Sequence, residues 1–178
     1  HRVVTGLPGL RRNLERLCGA YYVTEILREG TRDLDPSRPL FDAALATLRT
    51  LESARAAEVP LAVAWFELAF LELSGFAPQW EACATCGRRA PEGAPVRFAS
   101  WRGGVVCRQC LAERPAEVVV LGTGLRAVLQ QILGAAGPSE SAGLKVSAAD
   151  RRALRELLVG FLQGVMEREL RAAAFLAP

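Results

Sequence analysis

The sequence predicts a mainly α protein, a helical bundle of about five helices with a four-cysteine knuckle inserted partway along. Three observations carry that prediction. Apolar residues recur at helical spacing through both halves of the chain. Cys83-Ala-Thr-Cys86 and Cys107-Arg-Gln-Cys110 form two Cys-x-x-Cys pairs separated by twenty residues. Between those halves the composition changes, because after Pro78 residues 80–114 are dominated by Gly, Pro, Arg and the paired cysteines. At 178 residues, 51% of them hydrophobic, the chain is long enough for one good core and a small satellite.

Residues 1–5 read as the tail of a strand or a linker, and Gly6-Leu-Pro-Gly9 breaks the backbone before the first helix. Leu10, Leu14, Leu17 and Tyr21 follow at helical spacing. Tyr22, Val23, Ile26 and Leu27 widen the apolar arc, and Gly30 ends the helix. Cys18 lies on that arc as a small buried hydrophobe. A polar, proline-marked loop over 33–39 supplies Ser37 as the cap of a second helix, whose stripe is Phe41, Leu45, Leu48 and Leu51. Pro60 fits the first turn of a third helix over 61–74, stopped by Gly75. That helix is apolar nearly all round and belongs in the middle of the bundle. Its carboxylates Glu67 and Glu72 point in different directions, and capping or pairing with a neighbouring Arg is their expected role.

After the cysteine-rich stretch, Thr123 caps a helix carrying Leu125, Val128, Leu129, Ile132 and Leu133, closed by Gly137-Pro138. A flexible polar stretch over 139–143 follows. Ser147 with Asp150 forms a capping pattern for a last helix running from 148 to about 174, with Leu154, Leu158, Phe161, Leu162, Val165 and Met166 on its inner face.

Two knuckles at this separation can turn four thiolates onto one tetrahedral ion. The donor set has no open position, so it predicts one structural zinc held by Cys83, Cys86, Cys107 and Cys110. Iron in a rubredoxin-like site satisfies the same ligands. Gly87 and Gly103-Gly104 flank the knuckles where backbone amides must turn toward sulfur. A stretch this poor in large apolar residues gains its stability from the metal. A redox pair is disfavoured, since such motifs come singly beside a βαβ pattern that is missing here.

Charge excludes more than it identifies. The formal net charge is +3, with no basic tail and no acidic run, and Lys145 is the only lysine. In the cysteine-rich stretch six arginines face Glu81, Glu92, Glu113 and the two net negative charges of a divalent cation with four thiolates, a surplus of about one positive charge. Local DNA contact and a purely structural clip therefore stand as rival readings. Two further clusters, Arg11, Arg12 and Arg16, and Arg151, Arg152 and Arg155, sit at helix starts where the macrodipole does not favour them. The candidates for DNA or partner contact are Arg11, Arg12, Arg16, Arg88, Arg89 and Arg108. No catalytic constellation can be assembled: the one histidine is His1, and no Gly-rich phosphate loop precedes a helix. The longest apolar run is interrupted by Glu67, Glu72 and Ser74 and is shorter than a span needs, so a cytoplasmic protein with reduced thiols is expected.

Tyr22 with Glu25, Leu40-Phe41, Phe66-Glu-Leu68 and Gly75-Phe76-Ala-Pro78 make up the first half of a longer pattern. Cys83-Ala-Thr-Cys86-Gly87, Phe98, Gly103-Gly104 and Cys107-Arg-Gln-Cys110 complete it. Together, over roughly residues 8–176, these resemble the C-terminal part of the bacterial RecO family of recombination and repair mediators. The resemblance implies an N-terminal OB-fold that this sequence lacks, with 1–8 as a linker or its end. It implies a helical domain over 9–78 and 115–178 and a zinc-binding insert over 79–114. It further implies a non-enzymatic protein that binds single- and double-stranded DNA and anneals complementary strands. In the RecFOR pathway it would work with RecR and the C-terminal tail of single-strand-binding protein to load RecA. The expected place is the bacterial cytoplasm, at the nucleoid, with no membrane and no small-molecule substrate. One departure is Leu170-Arg-Ala-Ala, where family members often carry Ser after the Arg. The alternative is a zinc-stabilised helical scaffold or regulatory interaction module without direct DNA binding.

Overall fold

The computed structural model describes residues 6–31, 37–111 and 118–176. Its helices are α1 (Leu14–Gly30), α2 (Arg38–Ser53), α3 (Val59–Leu73), α4 (Thr123–Gly134), α5 (Pro138–Ala142) and α6 (Ala148–Met166). Between α3 and α4 lie the strands β1 (Val96–Ala99), β2 (Gly104–Val106) and β3 (Val118–Leu121). Short 3-10 helices cover Pro8–Arg12, Ser100–Arg102 and Arg171–Phe175. The mainly α architecture is as the sequence predicts. Residues 1–5 and 32–36, which include most of the proline-marked loop, lie outside the described residues.

α3 is the axis of the bundle. Ten of its fifteen residues are buried, and α1, α2, α4, α5 and α6 all pack against it. A helix apolar on every side has no solvated face to turn outward, so the other helices must enclose it. α1 and α2 expose some of the large residues that periodicity assigns to the core. Leu14 is 72% exposed, Tyr21 62% and Phe41 60%. α1 instead buries Ala20, Tyr22, Val23 and Ile26, and α2 buries Leu40, Ala43, Ala44, Thr47 and Leu51. Small residues set these faces because they let helix axes approach, and Thr47 sits in the interface with its hydroxyl returned to the Ala43 carbonyl at 2.9 Å.

Capping fixes the helix ends. Ser37 accepts from the Leu40 amide at 3.4 Å, and Ser147 accepts from the Asp150 amide at 3.1 Å while donating to the Asp150 carboxylate at 2.7 Å. α4 starts after Gly122 rather than on a Thr123 cap, and Leu133 is exposed. The stretch over 139–143, expected to be flexible, forms α5 instead. Its Ser141 hydroxyl is buried and donates to the Leu61 carbonyl of α3 at 2.8 Å, a hydrogen bond that the polar composition conceals. α6 ends at Met166, well short of 174, because Glu167 takes a left-handed φ of 53°. The chain then turns back onto α1, where the Glu25 carboxylate accepts from the amides of Arg171 at 3.0 Å and Ala172 at 2.8 Å. These are the free donors of the last 3-10 helix, so a side chain on α1 caps the tail.

The antiparallel sheet, of order β2-β1-β3, is not legible in the sequence, since its strands hold only three or four residues. β1 pairs Phe98 with Val105 on one side and with Val119 on the other. Strand alternation turns Val96 and Phe98 toward the helices, where they join the main core with Val105 and Leu121. Phe98 stacks on Trp80 at 5.1 Å between ring centroids and meets Phe161 of α6 edge-on at 5.5 Å. β3 lies beyond residue 114 and still pairs with β1, so the insert is stitched into the body by the strand that leads to α4.

Candidate metal centre and arginine groove

The first knuckle is a tight turn: Gly87 donates to the Cys83 carbonyl and Cys83 to the Arg88 carbonyl, both at 2.8 Å. Gly87 closes that turn at a φ of 70°, which other residues adopt only with strain. The knuckle is pinned to the sheet by the Ala84 amide on the Val105 carbonyl at 2.8 Å. Gly104 continues the same docking, since a Cβ there would lie 2.5 Å from the Gln79 carbonyl oxygen. The second knuckle follows β2 directly, with Cys110 donating to the Cys107 carbonyl at 3.1 Å.

This pairing brings the sulfurs of Cys83, Cys86, Cys107 and Cys110 within 4.8 Å of one another. Cys86 and Cys107 are 3.8 Å apart. Metal–thiolate bonds of about 2.3 Å at tetrahedral angles place sulfurs about 3.8 Å apart, the spacing of Cys86 and Cys107, so the cluster closes on an ion with shifts of about 1 Å at most. Cys83 is buried, Cys107 and Cys110 are half-buried and Cys86 is exposed. Ala99 and Val106, with Trp101, Leu111 and Val118 against them, pack a small second core around the cysteines.

The thiols respond to each other and to backbone amides. Burial pushes Cys83 up, but amides of Cys107, Cys86 and Thr85 donate to it and bring it to about 6. The Cys110 amide draws Cys107 down, while hydrogen bonds with the sulfurs of Cys107 and Cys86 push Cys110 up to about 12. Four sulfurs this close compete for protons, and a cation at their centre would take the protons' place. Cys18 stands apart on α1, half-buried, and contributes nothing to the cluster.

The predicted arginines separate into two places. Arg88, Arg89 and Arg108 are exposed on the insert and line one groove of about 300 Å³ beside Cys83 and Cys107. Arg97 lines it as well. That residue is one of the six arginines weighed for DNA contact in the cysteine-rich stretch but not one of the candidates singled out, although the Val96-Arg-Phe98 alternation is the signal that puts it on the face opposite Phe98. Arg11 and Arg12 are exposed in the first 3-10 helix, away from that groove. Arg16 serves the fold instead, its guanidinium donating to the carbonyls of Glu52 and Ala54 at 2.7 Å and of Ser53 at 3.3 Å. It thereby closes the C-terminal end of α2, where backbone oxygens lack helical partners. Sequence reasoning also missed Arg126 of α4, which donates to the Pro91 and Ala94 carbonyls at 2.6 Å and ties the insert's loop to the body.

Glu67 is buried in the core rather than paired with an arginine. It accepts the Tyr22 hydroxyl at 2.6 Å, and desolvation pushes its carboxyl up to about 8. The Tyr22 hydroxyl is raised in turn, first by burial and then by Glu67.

Helical body, docked insert and four converging thiols define the class: a helical domain carrying an insert whose four cysteines lie close enough to hold a metal ion. Among the described residues no helix is long and apolar enough to cross a membrane. Comparison with known proteins gives the particular family. The family described as Recombination protein O C terminal matches residues 11–174, and the chain belongs to it. The DNA repair protein RecO of Anaeromyxobacter dehalogenans strain 2CP-C is 37% identical over 174 residues, 98% of this chain and 66% of that protein. Those of Myxococcus xanthus and Roseiflexus sp. RS-1 are each 32% identical, covering 98% and 94% of this chain and 67% and 57% of their own lengths. The chain thus spans about two thirds of the relatives it matches, and its four cysteines and Tyr22–Glu67 pair fall inside the matched region.

Proposed function

We propose that this chain is the helical and metal-binding part of a non-enzymatic DNA repair and recombination mediator. The observation that carries the reading is the family match across residues 11–174, which spans both the body and the insert. In this reading the helical domain comprises 9–78 and 115–178, and the insert 79–114, with 1–8 leading from an OB-fold. Cys83, Cys86, Cys107 and Cys110 hold one structural zinc, whose preference for four thiolates in a closed tetrahedron suits the observed sulfur spacing. Arg88, Arg89 and Arg108 on the insert, and Arg11 and Arg12 on the body, meet phosphates or acidic partners. Arg16 supports that surface by holding α2.

Mediation here is scaffolding: DNA, RecR and the C-terminal tail of single-strand-binding protein are brought together so that strands anneal and RecA is loaded, in the bacterial cytoplasm at the nucleoid. For the tail, the fitting surface is the open cleft of about 530 Å³ between α1 and the C-terminal 3-10 helix. It is lined by Tyr21, Thr24, Glu25, Arg28, Arg171, Ala172 and Phe175. Tyr21 and Phe175 are 62% and 71% exposed. Arg28 is paired with Glu29 and the Glu25 carboxylate is held by the Arg171 and Ala172 amides, which leaves Arg171 beside the two rings to suit a peptide that joins acidic residues to an apolar end. Titrating the chain with single- and double-stranded oligonucleotides, RecR and a tail peptide tests the reading. Binding that weakens with salt supports it, and absence of binding to all of them refutes it for this chain.

The second reading, a zinc-stabilised helical scaffold or regulatory module without DNA contact, draws support from the insert's docking. Phe98 against Phe161 makes the knuckle an integral part of the body. Partner binding with no affinity for DNA would favour it.

A further inference from the structure

We propose that the groove lined by Arg88, Arg89, Arg97 and Arg108 clamps successive phosphates of a nucleic-acid strand, contacting the backbone and leaving the bases unread. The inference rests on the DNA-binding reading above and gives it a place and a ligand chemistry. Four arginines line this one groove of about 300 Å³, and no Asp or Glu lines it. Among the described residues none of the four donates to a carboxylate or a carbonyl, in contrast to Arg16 and Arg126, whose donors are spent on the fold. Like charges gathered without acceptors repel one another, so the arrangement calls for an anionic occupant.

A metal with four thiolates brings two net negative charges to the groove's edge, which offsets about half of the four arginines. The surplus remains for a ligand. Arg89 also lines a neighbouring cavity with Glu81, Glu92 and Arg126, so the groove's surplus rests on Arg88, Arg97 and Arg108, which share their lining with no carboxylate.

The lining also says which part of a nucleic acid enters. Apart from the arginines and cysteines it consists of small or rigid residues such as Pro91, Pro95, Val96 and Val105, with no aromatic ring. Bases are read by stacking on aromatic faces or by side chains on their edges. Trp101 packs against the small core of Cys83, Ala99 and Val106 and does not line the groove, and Trp80 and Phe98 are engaged with each other. What the groove offers is planar, many-donor guanidinium, which matches phosphate oxygens in pairs. Binding is therefore indifferent to sequence.

Fluorescence anisotropy with a labelled thymidine oligonucleotide, followed across a salt series, tests this on zinc-loaded chain. Replacing Arg88, Arg97 and Arg108 together by Gln is expected to weaken binding about tenfold or more at low salt. The slope of log affinity against log salt should fall by about 2, since each neutralised phosphate on a single strand contributes about 0.7. Arg38→Gln with Arg49→Gln, exposed on α2 and away from the groove, is the comparison pair and is expected to leave affinity and slope unchanged. Zinc content and far-ultraviolet dichroism show that each variant is folded. A folded triple variant with unchanged affinity and slope overturns the clamp while leaving DNA binding by this chain intact. Wild-type chain that binds no oligonucleotide refutes the DNA-binding reading itself. If it then binds pyrophosphate through the same arginines, the groove is a site for small phosphates and the strand assignment is overturned.

Discussion

Tyr22 on α1 donates its hydroxyl to Glu67 on α3 at 2.6 Å, and both side chains are buried. This is a polar tie across the centre of an otherwise apolar bundle, made by residues 45 positions apart. Arg155 of α6 adds a favourable charge to the ionised carboxyl, while its own guanidinium donates to the Ala173 carbonyl at 2.8 Å. Arg151 lines the same small void as Glu67 and Arg155. Tyr22→Phe leaves the buried carboxyl without its donor, and is expected to cost about 1 to 3 kcal/mol in denaturant unfolding. An unchanged midpoint would mean that the carboxyl finds another donor.

The same pair makes stability depend on pH. Burial raises the folded Glu67 carboxyl to about 8, above the value of about 4.3 that an unfolded Glu has. Between those values the folded state holds a proton that the unfolded state has lost, so this group's contribution to stability is greatest below about pH 4.3 and falls as pH rises to about 8. Glu67→Gln removes that one-proton contribution. Unfolding of both proteins from about pH 5 to 9 should show the variant gaining on the wild type as pH rises, and levelling above about 8. A difference constant with pH would sink the assignment.

The helices and the cysteine cluster were legible in the sequence for a physical reason: their signals are local. Ser37 and Ser147 cap within three residues, and each Cys-x-x-Cys pair is one turn. What could not be read was whatever depended on a distant partner. Phe41 looks like core by size and is exposed, because small Ala43 and Ala44 bring α2 close to its neighbours. Ser141 looks like loop and is buried, because its acceptor is the carbonyl of Leu61, eighty residues away. Arg16 and Arg108 look alike in sequence, yet only Arg108 has no backbone acceptor.

Cysteine replacement should separate the insert from the body. Cys86→Ser or Cys107→Ser breaks the closed donor set, and is expected to release zinc and loosen residues 80–111, while the helical dichroism of α1, α3 and α6 survives. Metal analysis with amide hydrogen exchange reads both effects. Freshly purified, reduced wild type carrying well under one zinc per chain would argue against the site.

Phe98 carries the docking between those two units. It is fully buried, stacked on Trp80 and edge-on to Phe161, and truncating a buried Phe to Ala costs about 3 to 5 kcal/mol. Phe98→Ala should lower the thermal midpoint and speed exchange at β1 and at the facing turns of α6. The knuckle's own hydrogen bonds do not involve the ring, so the variant is expected to retain zinc. Loss of metal together with docking would show that the two are one cooperative unit.

Glu25 links the tail's fold to the cleft proposed for the partner peptide. Its carboxylate caps the amides of Arg171 and Ala172, and the segment it holds carries Arg171 and Phe175 to the cleft that Tyr21 and Arg28 line from α1. Glu25→Ala frees both amides, and losing such a cap is expected to cost about 0.5 to 2 kcal/mol. Because Leu170, Ala173 and Leu176 remain buried against the body, the tail should stay attached but lose its fixed register. A tail peptide of single-strand-binding protein should therefore bind more weakly to Glu25→Ala, while oligonucleotide affinity through the distant insert stays unchanged. If peptide affinity is unaffected and exchange at 171–175 has plainly quickened, the peptide does not use this cleft.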